Sequence, residues 1–74
     1  MTISVELFGQ LLPQSPRRST LDPATRITVR EAAKILRLNP EEIGLITING
    51  VQSELEDILP SECRLCFFPY VSGG

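Results

Sequence analysis

Residues 28–36 read TVREAAKIL, and the reading of this stretch decides what the rest of the chain must build. Thr28 is followed three residues on by Glu31. The threonine hydroxyl can accept from the amide of residue 31 while the Glu31 carboxylate reaches back, which predicts the start of a helix. Val29, Ala32, Ala33 and Leu36 then fall on one face at helical spacing, and Arg30, Lys34 and Arg37 fall on the opposite face. Asn39-Pro40 marks the expected stop. A single amphipathic helix has an apolar stripe to bury, and the flanking segments must supply the surface that buries it.

Those segments read as strands. Upstream, TISVELF (2–8) alternates, with Ile3, Val5 and Leu7 on one side and Thr2, Ser4, Glu6 and Phe8 on the other. Gly9 and Pro13 interrupt it, PQSPRR (13–18) is turn-forming, and RSTLD (18–22) predicts a second, short strand. Downstream, LITINGVQS (45–53) is a hairpin signal, because Asn49-Gly50 suits a type I′ turn. ELEDILP (54–60) is acidic and irregular, with room for one short helical turn. RLCFFPYV (64–71) is the last strand. Pro69 lacks an amide donor, so that end is expected at a sheet edge or leaving the sheet. If the first and last strands lie side by side, the result is an α+β, β-grasp (ubiquitin-like) fold: a mixed sheet of four to five strands with one main helix packed across it. The expected organisation is a single domain over residues 1–74, with 71–74 a flexible C-terminal tail.

Composition narrows the function. With 74 residues, 42% hydrophobic and 22% charged, the chain suits one small globular domain. A sizeable enclosed active site is not expected. The formal charge of −2 argues against nucleic acid, whose phosphates call for a positive patch. Histidine is absent, which removes the commonest general base and metal ligand. No apolar run is long enough to cross a bilayer, and the N-terminus lacks the pattern of a signal peptide, so a cytoplasmic location is expected. Cys63 and Cys66 lie too close in sequence to close a useful loop and are expected to be free thiols. The pair also admits a redox, half-metal-site or sulfur-relay reading. Residues i and i+3 on a strand point to opposite faces, which favours two small side chains without joint chemistry.

Four segments together carry a resemblance: VELFGQL near the start, TVREAAKIL for the helix, TINGV for the hairpin and CFFPYVSGG at 66–74. In combination the chain resembles the MoaD/ThiS family of ubiquitin-like sulfur carriers over nearly its whole length. The ending is most similar to the small subunit of molybdopterin synthase, whose pattern is Phe-Pro-Pro-Val-(Ala/Ser)-Gly-Gly. Phe68, Pro69, Val71, Ser72, Gly73 and Gly74 match it, and Tyr70 stands where the second proline is usual.

The resemblance implies a carrier, not an enzyme by itself. Gly74 would be adenylated by a partner of the MoeB/ThiF type that uses ATP, then converted to a thiocarboxylate that donates sulfur. The acceptor would be the large subunit of molybdopterin synthase (MoaE type), in a heterotetramer, acting on a pterin precursor of the molybdenum or tungsten cofactor. No cofactor is expected on the chain itself. Val71, Ser72 and Gly73 would thread into the partner's channel, where glycine's missing Cβ permits close approach. Phe68, Pro69 and Tyr70 are the candidate partner-binding residues. The alternatives are a ubiquitin-like modifier joined to lysines, a carrier for thiamine or tRNA thiolation, and a binding module whose tail is inert. The basic stripe Arg30, Lys34 and Arg37 reads as a solvated face. Glu54, Glu56, Asp57 and Glu62 read as a solvated acidic loop or a docking patch for a basic partner.

Overall fold

A computed structural model describes residues 1–9 and 17–70. The expected elements appear in the expected order: β1 (Ile3–Leu7), β2 (Arg18–Leu21), α1 (Val29–Ile35), a 3-10 turn (Pro40–Glu42), β3 (Ile43–Ile48), β4 (Val51–Ser53) and β5 (Cys63–Pro69). They form one mixed five-stranded sheet in the order β2-β1-β5-β3-β4. β1 and β5 run parallel at its centre, with Ile3 beside Cys63 and Leu7 beside Phe67. The outer pairs β1–β2 and β3–β4 are antiparallel hairpins, and β3 is antiparallel to β5.

The capping box at the start of α1 is complete. Glu31 N–H donates to Thr28 Oγ1 at 3.1 Å, and Thr28 N–H donates to Glu31 Oε1 at 2.9 Å. The next amides are served from a distance: Val29 N–H donates to the Asp57 carbonyl and Arg30 N–H to that of Leu55. A helix of seven residues is too short to hold itself in water, so tertiary burial must supply its stability. Val29, Ala32 and Ala33 are fully buried, and the two alanines let the backbone approach the sheet closely.

Facing them are Ile3, Val5 and Leu7 of β1 and Cys63, Leu65 and Phe67 of β5, joined by Ile46, Leu38 and Leu59 in one cluster. Phe67 is the largest fully buried side chain. No described side-chain polar atom is buried without a hydrogen-bond partner, as expected of a sound core. Among the described residues no helix is long and apolar enough to cross a membrane.

Two local expectations are corrected, and the one at Pro69 holds. The helix does not run to Asn39-Pro40. It closes on a C-terminal turn at Arg37, whose φ is +63°, with Arg37 N–H bonded to the Lys34 carbonyl and Leu38 N–H to that of Ala33. This double bond pattern satisfies the last carbonyls and turns Leu38 into the core. Asn39-Pro40 instead caps and opens the 3-10 turn.

ELEDILP contains no helical turn. Residues 54–57 form a hydrogen-bonded turn, and Ile58 bridges back to Thr28.

β5 is the central strand, but its Pro69 end is free on one side, as its missing donor requires. The Phe67 carbonyl bonds the Phe8 amide on the β1 side, so Pro69, two residues on, turns its donor-less nitrogen to that same side. β1 has already ended at Leu7 there, so no ladder bond is lost.

Asn49 and Gly50 both have positive φ, as the type I′ turn demands. Asn49 also extends the sheet: its N–H donates to the Arg64 carbonyl and its Oδ1 accepts from the Arg64 amide.

Candidate functional site

The candidate site is the exit of β5, where Phe68, Pro69 and Tyr70 lead to Val71, Ser72, Gly73 and Gly74. The last four lie outside the described residues. Alternation along β5 sends its two neighbouring phenylalanines to opposite faces. Phe67 points under α1 and is fully buried, while Phe68 is half-buried on the uncovered face. There it stacks on Phe8, with ring centroids 4.5 Å apart and planes 7° from parallel. Such a pair is worth roughly 0.5–1.5 kcal/mol beyond the area it buries. Leu45, opposite Phe68 on β3, is partly exposed beside it, and Tyr70 is 69% exposed. Gly44, Leu45, Phe68, Pro69 and Tyr70 line a shallow open recess.

The backbone at this exit is held from both sides. Tyr70 N–H donates to the Glu42 carbonyl at 2.9 Å, the last hydrogen bond before the tail. On the β1 side, Gly9 has φ +68°, and a Cβ there would stand 2.5 Å from Pro69 Cγ. On the β3 side, the register shifts between Ile43 and Leu45. A Cβ on the intervening Gly44 would stand 2.7 Å from the Pro69 carbonyl oxygen and 2.8 Å from Tyr70 Cα. The atoms facing Gly44 are backbone and cannot swing aside, and Gly9 faces the rigid Pro69 ring from a positive-φ conformation, so a side chain at either position would displace the Pro69–Tyr70 segment. The strand that leads to Gly73-Gly74 therefore ends in a fixed position.

Sequence reasoning placed Phe68, Pro69 and Tyr70 together and missed Phe8, Leu45, Gly9 and Gly44. Phe8 carried a signal: it is a large aromatic on the polar side of an alternating strand. Leu45 shares the phase of Thr47 and could have been found the same way. Nothing local to Gly9 or Gly44 announces that Pro69 packs against them.

The cysteines do not form a joint site. Both are free and buried, but Cys63 belongs to the core under α1 and Cys66 lies on the other face of the sheet. Burial pushes the Cys63 thiol above its usual range, so it resists ionisation.

The acidic loop is engaged within the chain. Glu56 Oε1 receives Arg30 Nη2 at 2.6 Å and Nε at 2.7 Å, and Asp57 Oδ2 accepts the Glu54 amide at 2.8 Å. Arg30 and Glu56 both remain exposed, as a solvated stripe and a solvated acidic loop would be, and their ion pair ties the loop to the start of α1.

No family model matches the chain, and no curated protein matches it in sequence. Solved structures do match in fold. The crystal structure of SAMP1 from Haloferax volcanii has a TM-score of 0.77 and 24% identity, covering 100% of both chains. The solution structure of the HVO 2177 protein, also from Haloferax volcanii, has a TM-score of 0.74 and 16% identity, covering 100% of this chain and 87% of that one. A protein–protein complex of subunits 1 and 2 of the molybdopterin-converting factor from Helicobacter pylori 26695 contributes a chain with a TM-score of 0.64 and 19% identity, both chains covered in full. One central parallel strand pair, two flanking hairpin arms and a single helix across one face make this a β-grasp chain of the ubiquitin-like kind.

Proposed function

We propose that the chain is a sulfur carrier and that the carboxylate of Gly74 is its working group. The observation that carries this reading is the exit of β5: a central strand, held by Glu42, Gly9 and Gly44, with the stacked Phe8–Phe68 pair and exposed Tyr70 at its end, after which the sequence reads Val71-Ser72-Gly73-Gly74. The likeness to a subunit of the molybdopterin-converting factor, in complex with its second subunit, supports the finer assignment. On that assignment the chain is the small subunit of molybdopterin synthase. It is activated by a MoeB/ThiF-type enzyme, docks on a MoaE-type large subunit in a heterotetramer, and gives sulfur to a pterin precursor.

A carboxylate is a poor electrophile. In the proposed sequence, the partner transfers the adenylyl group of ATP to the Gly74 carboxylate and releases pyrophosphate. A sulfur nucleophile then attacks the acyl carbon and AMP leaves, so one oxygen of the carboxylate is replaced by sulfur. The acyl-adenylate must be shielded from water, which requires a narrow channel and a slender tail. Residues without Cβ at 73 and 74 fit such a channel. Ordering the tail costs about 1–2 kcal/mol per residue. Contacts of the Phe8–Phe68 pair and Tyr70 with the partner offset it, since buried aromatics dominate such interfaces.

Intact mass spectrometry after incubation with the activating enzyme, ATP and a sulfur donor tests the reading. A gain of about 16 Da, sulfur for oxygen, is expected at Gly74. A mass that never changes counts decisively against it.

A second reading keeps the activation and changes the acceptor. The likeness to SAMP1 exceeds that to the molybdopterin-converting factor subunit, with TM-scores of 0.77 and 0.64. The same activated Gly74 would then be joined to lysines of other proteins, the chemistry of a ubiquitin-like modifier. Lys34, exposed on α1, is the chain's single lysine and would restrict self-conjugation to one linkage. Higher-mass conjugates on an immunoblot of cell extract would mark this outcome.

A further inference from the structure

The uncovered face of the sheet carries a second cluster that sulfur transfer does not use. Glu6 of β1 stands between Arg18 of β2 and Arg64 of β5. Arg64 Nη2 donates to Glu6 Oε1 at 2.8 Å, and Arg18 Nε lies 3.8 Å from Glu6 Oε2. The Glu6 side chain is only 18% exposed, whereas those of Arg18 and Arg64 are 83% and 62% exposed. One carboxylate between two guanidiniums leaves the cluster one positive charge in excess, on a chain whose formal charge is −2. A guanidinium has five N–H donors, so the bond to Glu6 orients Arg64 and leaves most of its donors free. They open onto a groove that Ser4 and Thr20 also line.

Position ties this cluster to the exit of β5. Arg64 and Phe68 are four residues apart on one strand and point to the same face, hence about 13 Å apart. A standard interface covers about 800 Å² on each partner. A protein that takes residues 71–74 and rests on the Phe8–Phe68 pair therefore reaches Arg64 as well.

We propose that Arg18, Glu6 and Arg64 form the charged half of the docking surface for the tail-activating enzyme, and that this enzyme meets them with a carboxylate side chain. The Phe8–Phe68 pair and Leu45 form the apolar half. The proposal rests on the sulfur-carrier reading and adds the chemistry of the partner's surface. Charge complementarity selects the occupant. A single excess charge beside exposed aromatic and aliphatic side chains fits an acidic protein rim around an apolar recess. It does not fit a run of phosphates, which calls for several cations in register. Charges at such a rim act on the rate of encounter and on the choice of partner more than on final affinity.

The test measures ATP-dependent pyrophosphate release by the activating enzyme from the same cell. It is run on the wild-type chain, the double variant Arg18→Glu/Arg64→Glu, the milder Arg18→Gln/Arg64→Gln, and the control Lys34→Glu on the far side of the molecule. At about 0.05 M salt the charge-reversed variant is expected to react roughly tenfold or more slowly at limiting concentration, the neutralised one to lie between, and the control to match wild type. At about 1 M salt the differences should nearly vanish, since screening then acts within about 3 Å. Equal rates and equal salt dependence in variant and wild type would overturn the proposal and leave the carrier reading standing. A wild-type chain that is never adenylated would overturn both. RNA retention or self-association of the wild type that the double variant lacks would assign the face to another occupant and overturn this one.

Discussion

The two faces of β5 serve opposite ends. On the side covered by α1, Cys63, Leu65 and Phe67 are buried without a polar atom to satisfy beyond the backbone. On the uncovered side the strand is graded along its length: basic at Arg64, a buried thiol at Cys66, aromatic at Phe68, then exposed Tyr70 at the exit. Among the described residues one helix packs on the sheet, and it covers one face while the other stays open. The difference teaches that substitutions one residue apart on this strand act on separate properties.

The largest separation is expected between the neighbouring phenylalanines. Phe67→Ala removes the largest fully buried side chain and should destabilise the chain by about 3–5 kcal/mol, enough to unfold much of it. Phe68→Ala loses a half-buried stack on Phe8 and should lower stability by only about 1 kcal/mol while sharply weakening adenylation. Urea unfolding beside an adenylation assay measures both quantities. If Phe68→Ala unfolds the chain as readily as Phe67→Ala, the division of labour between the faces is wrong.

The boundary between the faces can be tested at Gly44. Gly44→Ala places a methyl against the Pro69 carbonyl and Tyr70 Cα, and should cost about 1–3 kcal/mol as overpacking. The expected signature is local: loss of hydrogen-exchange protection at the Tyr70 amide, whose partner is the Glu42 carbonyl, while the Leu7 amide bonded to Arg17 keeps its own. Equal protection in variant and wild type would mean that the exit of β5 is not held by this contact.

The smallest expected effect sharpens the comparison from the helix side. Thr28→Ala breaks the capping box and should lower stability by about 1 kcal/mol. Adenylation should be untouched, because the helix lies on the far side of the sheet from the aromatic patch. A thermal melt paired with the same assay checks it. A drop in adenylation out of proportion to the lost stability would mean that the covered face also communicates with the partner.

The elements were legible because their causes are local. Alternation in TISVELF, the Thr28–Glu31 capping box and the Asn49-Gly50 turn each rest on contacts within a few residues, and each appears as read. The helix stop was misplaced because Arg37 takes a backbone conformation that glycine or asparagine usually signals. The site was legible in part: the strand period requires Phe67 and Phe68 to face opposite ways, and the packing of α1 decided that Phe67 is the buried one.

What the sequence determined by itself was the set of pieces, one capped amphipathic helix among strands of known phase, because period and capping are written in near neighbours. Only the tertiary structure decided that β5 runs between β1 and β3, and with it every long-range meeting at the site. Phe8 meets Phe68, Gly9 meets Pro69, and Glu6 meets Arg64 across 58 positions. Closing loops of that length is entropically unfavourable and is offset by the shared core as a whole. Phe8 stands out as an aromatic on a polar face, but nothing near it names Phe68 as its partner, because the free energy that enforces the pairing is spread over the entire sheet and helix.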